Sequence, residues 1–198
     1  GASTWKDIPE IDNEEIYHQF QLYSLHGQSK DALAKTRAGA WEYDIEGAWY
    51  KCNMTDILAA IGLMQLERYP KLLARRREII GRYDEMCDEL GVKHLIHYGK
   101  DFASSGHLYL TRIPKASDGQ RRKIIVKLAE RGITTNVHYK PLPMMTAYKK
   151  MGWDIKDFPN AYAYYENLIT LPLHTKLSNE DVEYIISNFK EVIQNLEN

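Results

Sequence analysis

The chain has 198 residues, 44% of them apolar and 27% charged, which suits one ordinary domain, or one with an extension, around an apolar core. A formal net charge of −1 argues against a nucleic-acid or membrane-surface partner, and no apolar run approaches the roughly 20 residues that span a bilayer. Two cysteines, Cys52 and Cys87, make no disulfide framework and fit a reducing cytoplasm.

In chain order, Asp12 or Asn13 can cap a helix that carries Ile16, Phe20 and Tyr23 on one face and ends at Gly27. Residues 28–40 are polar and small, and read as a loop. Residues 41–50 are aromatic and irregular, with Trp41, Tyr43, Trp49 and Tyr50 broken by Gly47. Thr55 can cap the next helix and Asp56 suits its positive end. From Ile57 to Met64 that helix carries no charge, so it is expected to be buried on nearly every face. A chain lacking a covering domain would instead expose this apolar surface, around residues 57–66.

Pro70 suits the first turn of a further helix. Leu72, Leu73, Ile79, Ile80, Tyr83, Met86, Cys87 and Leu90 then recur at helical spacing up to Gly91. Arg75, Arg76 and Arg77 are expected on its solvent face. From Val92 the period changes to two, and residues 92–98 and 107–113 read as strands. Ser117 or Asp118 starts a helix bearing Ile124, Ile125 and Leu128, closed by Gly132. Residues 133–138 read as a third strand, ended by the prolines of Lys140-Pro141-Leu142-Pro143. A short helix over 144–150, another carrying Tyr162, Tyr164, Tyr165 and Leu168, and a short extended piece at Leu171-Pro172-Leu173 follow. Ser178 caps a last helix with Val182, Ile185, Ile186, Phe189, Val192 and Ile193 along one stripe. The order gives an α+β fold, a small antiparallel sheet covered by helices, behind an N-terminal helical and loop segment.

Chemistry is concentrated at few places. Lys51 and Asn53 precede a helix N-terminus, where free N–H groups favour an anion; a point charge and an amide donor there suit a phosphate. The same pattern also describes a polar loop that merely caps a helix. His138 and Tyr139 end a strand beside the proline-rich loop, where the ring nitrogen could donate to a phosphate or hydroxyl and the phenol could stack on a sugar or base. His107 could bind or pack. His94 and His97 lie three apart on a strand and face opposite sides, which makes a poor metal pair, and no metal is expected.

The run Tyr-Lys-Cys-Asn-Met-Thr-Asp-Ile-Leu-Ala-Ala-Ile-Gly-Leu-Met-Gln-Leu over 50–66 resembles the DegT/DnrJ/StrS family of pyridoxal-phosphate-dependent sugar aminotransferases. Further segments are similar to that family in the same order. They are Ser24-Leu25-His26-Gly27 with Lys30-Asp31; Arg75-Arg76-Arg77-Glu78-Ile79 with Tyr83; Gly106-His107-Leu108-Tyr109; Gly132-Ile133-Thr134 through Val137-His138-Tyr139-Lys140-Pro141-Leu142; and Leu171-Pro172-Leu173 with Ser178-Asn179-Glu180-Asp181-Val182. Trp49 departs from the family, which usually has Gly before the Tyr-Lys pair, and this puts the sugar specificity in question.

The resemblance implies a C-terminal half. Proteins of that family are about twice this long, and the Schiff-base lysine, the aspartate under the pyridine nitrogen and the ring-stacking residue would lie upstream. Gly1-Ala2-Ser3-Thr4-Trp5 resembles the segment that follows that lysine. Residues 1–40 would be a helical connector and 41–198 the C-terminal small domain. No catalytic residue is expected in this chain, which would then be inactive alone.

Asn53 or Lys51 would reach the cofactor phosphate in the partner's active site of a homodimer. His138 and Tyr139 would border the nucleotide-sugar, with Trp41, Tyr43 and His107 as further substrate-binding residues. The parent enzyme would pass an amino group from glutamate to a nucleotide-linked keto sugar, for lipopolysaccharide, other surface polysaccharide or amino-sugar synthesis. Two other readings remain: a dehydratase of the same fold with histidine in place of the lysine, and a non-catalytic dimerisation or binding module.

Overall fold

A computed structural model describes residues 2–29 and 43–195. Trp41, together with Lys30 and Asp31 of the second motif, lies outside the described residues, as does the expected domain boundary at 40/41. The chain divides into two compact units, Gly1–Glu67 and Arg68–Asn198.

In the first unit, helix α1 (Asn13–Ser24) begins at Asp12, whose carboxylate accepts from the Glu14 N–H at 3.3 Å. After its end the chain folds back on residues 43–52. Gly27, at φ +72°, lies so close to Gly47 that a Cβ would stand 2.3 Å from the Gly47 carbonyl oxygen, so no side chain is accommodated there.

Helix α2 (Asp56–Leu90) runs unbroken for 35 residues through Pro70. A second helix starting at Pro70 is therefore not formed. Proline forfeits one helical bond, but residues 60–70 are all exposed, so water can serve the freed carbonyl. The expected burial of the first half of α2 is not met within this chain either. Ile57, Leu58, Ile61, Leu63, Met64 and Leu66 are all exposed, because nothing among the described residues covers them.

The second half of α2 turns inward. Ile79, Ile80, Tyr83, Met86 and Cys87 are buried in the core of the second unit. The arginines ahead of them are not merely solvated. Arg75 donates to the Leu177 carbonyl at 2.7 Å and to Asn179 Oδ1 at 2.8 Å, while Arg76 donates to the Gly106 carbonyl at 2.6 Å. The Leu177 and Gly106 carbonyls lie in loops, where no strand or helix pairs them.

The sheet is antiparallel, in the order β1 (Lys93–His94), β2 (Tyr109–Arg112), β3 (Leu168–Leu171). Tyr109 pairs with Leu171 and Arg112 with Leu168. The third strand is thus not residues 133–138, which contribute a single bridge between Asn136 and Thr170. The helix expected to run on to Leu168 ends earlier, as α5 (Pro159–Tyr165). All four residues of β3 are buried, so the strand has no alternation to betray it.

Helix α3 (Asp118–Ala129) starts in a capping box of Ser117 and Gln120, and α6 (Asn179–Gln194) in one of Ser178 and Asp181. A short α4 (Thr146–Lys150) follows the prolines. Ile124 and Leu128 from α3, and Val182, Ile185, Phe189 and Val192 from α6, pack with α2 and the sheet into one core. No helix among the described residues is long and apolar enough to cross a membrane.

Candidate functional site

The end of α1 fixes the loop that leads into α2. His26 N–H donates to the Tyr50 carbonyl at 2.8 Å, Cys52 N–H to the Ser24 carbonyl at 2.9 Å, and Tyr50 N–H to the Tyr23 carbonyl at 3.2 Å. Leu25 and Lys51 form a bridge, as do Gln28 and Ile45. Trp49 sits over Gly47 and meets the Tyr23 ring edge-on at 4.7 Å, so this residue packs against the first helix. The loop is pinned by its backbone, which leaves the side chains of Lys51 and Asn53 exposed. Thr55 Oγ1 accepts from the Leu58 N–H at 3.4 Å, just after them, at the start of α2.

Asn53 also lines an open cleft of about 610 Å³ within the first unit, walled by Trp5, Phe20, Tyr23 and Tyr50. Trp5 and Phe20 stack at 5.3 Å, and Trp5 Nε1 donates to Asn13 Oδ1 at 2.9 Å. Tyr43 is half exposed in the same unit. The aromatic role of Trp5 is not evident from the sequence; its eight-residue offset from Asn13 gives no periodic signal.

In the second unit, His138 and Tyr139 are brought together, ring edge to ring face at 4.7 Å. His138 Nδ1 lies 2.9 Å from Thr170 Oγ1, and His138 lines a cleft of about 520 Å³ with Asn136, Thr170 and Pro172. Tyr139 is exposed at 69% and is not part of that cleft's lining. His107 is exposed in the loop before β2, where its carbonyl accepts weakly from Arg76 at 3.4 Å.

His94 and His97 pack at the core of the second unit. His94 places Nδ1 3.0 Å from Asp84 and Nε2 3.3 Å from Asp88. His97 is buried, accepts or donates at Ser104 Oγ across 3.1 Å, and stacks on Tyr109. Burial lowers its affinity for a proton, against a smaller opposing pull from Asp84. Tyr109 donates to Asp84 Oδ1 at 2.7 Å and reaches Cys87 Sγ at 3.6 Å. Burial pushes the Tyr109 phenol well above its ordinary range and the Cys87 thiol up to about 12.

The profile of the DegT/DnrJ/EryC1/StrS aminotransferase family matches residues 10–190. The chain belongs to that family. As a member it is 34% identical over 189 residues to the spore coat polysaccharide biosynthesis protein SpsC of Bacillus subtilis, covering 92% of this chain and 48% of SpsC. It is 27% identical over 183 residues to UDP-4-amino-4,6-dideoxy-N-acetyl-beta-L-altrosamine transaminase of Campylobacter jejuni, covering 92% and 46%. Among solved structures, Spr1654 of Streptococcus pneumoniae, assigned as a sugar aminotransferase, superposes in its PMP form with a TM-score of 0.87. That match has 56% identity and covers 98% of this chain and 48% of Spr1654, which has also been solved in a PLP form. The DegT/DnrJ/EryC1/StrS chain described here therefore spans about half the length of the curated relatives it matches.

Family and solved neighbours together point to PLP-dependent aminotransferases. Lys51 and Asn53 offer an ammonium group and an amide N–H, the donor chemistry an anion calls for; both side chains are exposed, and the loop beneath them is held by backbone bonds. A lysine that forms an imine must be deprotonated, which desolvation favours. Every lysine among the described residues is exposed except Lys190, which is half-buried and ion-paired with Glu89.

Proposed function

We propose that this chain works within a PLP-dependent sugar aminotransferase that moves an amino group from glutamate to a nucleotide-linked keto sugar, in the synthesis of surface polysaccharide or lipopolysaccharide. The observation that carries the reading is the likeness to Spr1654, at 56% identity over 98% of this chain. The polysaccharide role in the name of SpsC supports the pathway class. Bound PLP would supply the electron sink for exchanging the amino group. The residues of this chain bind and orient.

In a homodimer, either Asn53, through an amide N–H, or Lys51, as a point charge, meets the cofactor phosphate of the neighbouring subunit. His138 and Tyr139 contact the nucleotide-sugar through a ring N–H and a stacking face, with Tyr43, Trp41 and His107 bordering the sugar. Residues 41–198 act as the C-terminal small domain and 1–40 as its connector. No residue of this chain is assigned a catalytic step. The free cysteines Cys52 and Cys87 suit work in the cytoplasm.

Asn53→Ala in the enzyme containing this chain tests the assignment. Loss of one hydrogen bond to a charged group should weaken PLP binding by about 1.5–3 kcal/mol, roughly ten- to a hundredfold, in an absorbance titration of the cofactor-free protein. Unchanged affinity removes Asn53 from the phosphate site.

A further inference from the structure

Thr170 occupies β3 with 5% exposure, and its backbone is tied to the segment bearing His138: its N–H donates to the Asn136 carbonyl at 2.7 Å, and its carbonyl accepts from Asn136 N–H at 3.1 Å. Two residues on, at a bend in the chain, His138 Nδ1 meets Thr170 Oγ1 at 2.9 Å. The hydroxyl can donate or accept, and the ring nitrogen can do either according to tautomer.

Burial decides between the two. A buried hydroxyl hydrogen without an acceptor is costly, and among the described residues the Thr170 hydroxyl has one partner, the ring nitrogen. If Nδ1 carried the proton, the hydroxyl hydrogen would have to turn to the cleft, to which the residue is only 5% exposed. Thr111, buried on the adjacent strand, solves the same problem differently, by donating to the Ile169 carbonyl at 2.9 Å. Thr170 lacks such a carbonyl and uses His138. The second ring nitrogen, Nε2, has no protein partner among the described residues and is not sealed from solvent, while the ring lines the 520 Å³ cleft.

We infer that Thr170 is a positioning residue for His138: its hydroxyl donates to Nδ1, places the neutral ring's proton on Nε2, and so presents an N–H donor to the cleft. A ring held in this tautomer recognises an acceptor oxygen, such as that of a phosphate, and discriminates against a donor. This specificity rests on the reading of His138 as a ligand contact; the tautomer itself does not.

Long-range nitrogen–proton correlation NMR of the chain with ¹⁵N-labelled histidine, at pH about 8, reads the tautomer directly. The wild type should show His138 as a single Nε2–H form. Thr170→Val, isosteric and well suited to a strand, should lose that signature to an exchanging mixture, and Thr170→Ser should restore it. An Nδ1–H form in the wild type, or an unaltered signature in Thr170→Val, overturns the inference, and the wild-type spectrum decides even where the valine variant folds poorly. Excess UDP, as a diphosphate probe, should shift the Nε2 resonance. If the tautomer depends on Thr170 but UDP leaves Nε2 unmoved, the positioning role stands and the ligand role proposed for His138 falls.

Discussion

The units Gly1–Glu67 and Arg68–Asn198 use similar apolar side chains to opposite ends. In the second, α2, the sheet, α3 and α6 bury a continuous core that includes Ile80, Tyr109, Ile124 and Phe189 at 0% exposure. In the first, Leu22, at 2%, is the one buried apolar side chain among the described residues, and Ile57, Leu58, Ile61, Leu63, Met64 and Leu66 of the same α2 face solvent. An apolar helical stripe states that a face is to be covered, but not by what. The second unit covers its stripe with its own sheet and helices, and the first leaves a surface of the kind that marks interaction sites.

The contrast can be broken most forcefully in the core of the second unit. Phe189→Ala should destabilise it by about 3–5 kcal/mol, because the cavity left among neighbours as fully buried as Ile80 cannot collapse, and urea unfolding followed by circular dichroism would show it. A loss under about 1 kcal/mol would mean the core is looser than the structure has it. Tyr109→Phe should cost about 1.5–3 kcal/mol in the same assay, since it removes one donor to the Asp84 carboxylate and leaves it His94 alone.

A pH dependence sharpens the same point. Burial lowers the folded-state pKa of His97 below the unfolded value near 6.5, so the unfolded chain takes up the proton more readily. Its contribution to stability is present above about pH 6.5 and lost as pH falls toward the folded value. Unfolding midpoints measured from about pH 7.5 down to about pH 5 should decline less steeply in His97→Asn; an identical slope would place the acid sensitivity elsewhere. Smallest of all, Ile61→Lys on the exposed half of α2 should change the unfolding free energy by no more than about 0.5 kcal/mol while reducing self-association in analytical ultracentrifugation. A large destabilisation would show that this face is already covered in solution.

Much of the fold is legible in the sequence alone. Ser117 and Ser178 announce their helices by the side chains three residues on, and the α6 stripe announces its buried face. The strands are harder. Residues 133–138 hold the β-branched composition of a strand, yet only Asn136 finds a partner, because the sheet's third place belongs to Leu168–Leu171. That segment is buried on both sides, so its sequence has no period, and only long-range pairing identifies it. Pro70 misleads for a related reason: its penalty is small where water replaces the lost bond.

The candidate site divides the same way. Lys51 and Asn53 stand out by their place before a helix, a local fact. The aromatic cleft beside Asn53 depends on Trp5, far back in the chain, and the hydroxyl that meets His138 comes from Thr170, 32 positions on. No local pattern connects either pair.

The placement of the two cysteines gives the chain a gauge of its own integrity. Cys52 lies exposed at the loop, while Cys87 is sealed against Tyr109 with its thiol pushed up to about 12. Under mild alkylation the folded chain should consume one equivalent of reagent quickly, and the second at the rate at which the core opens. A stoichiometric thiol count then tells a preparation with an intact second unit from one without it, with no dye, tag or substrate.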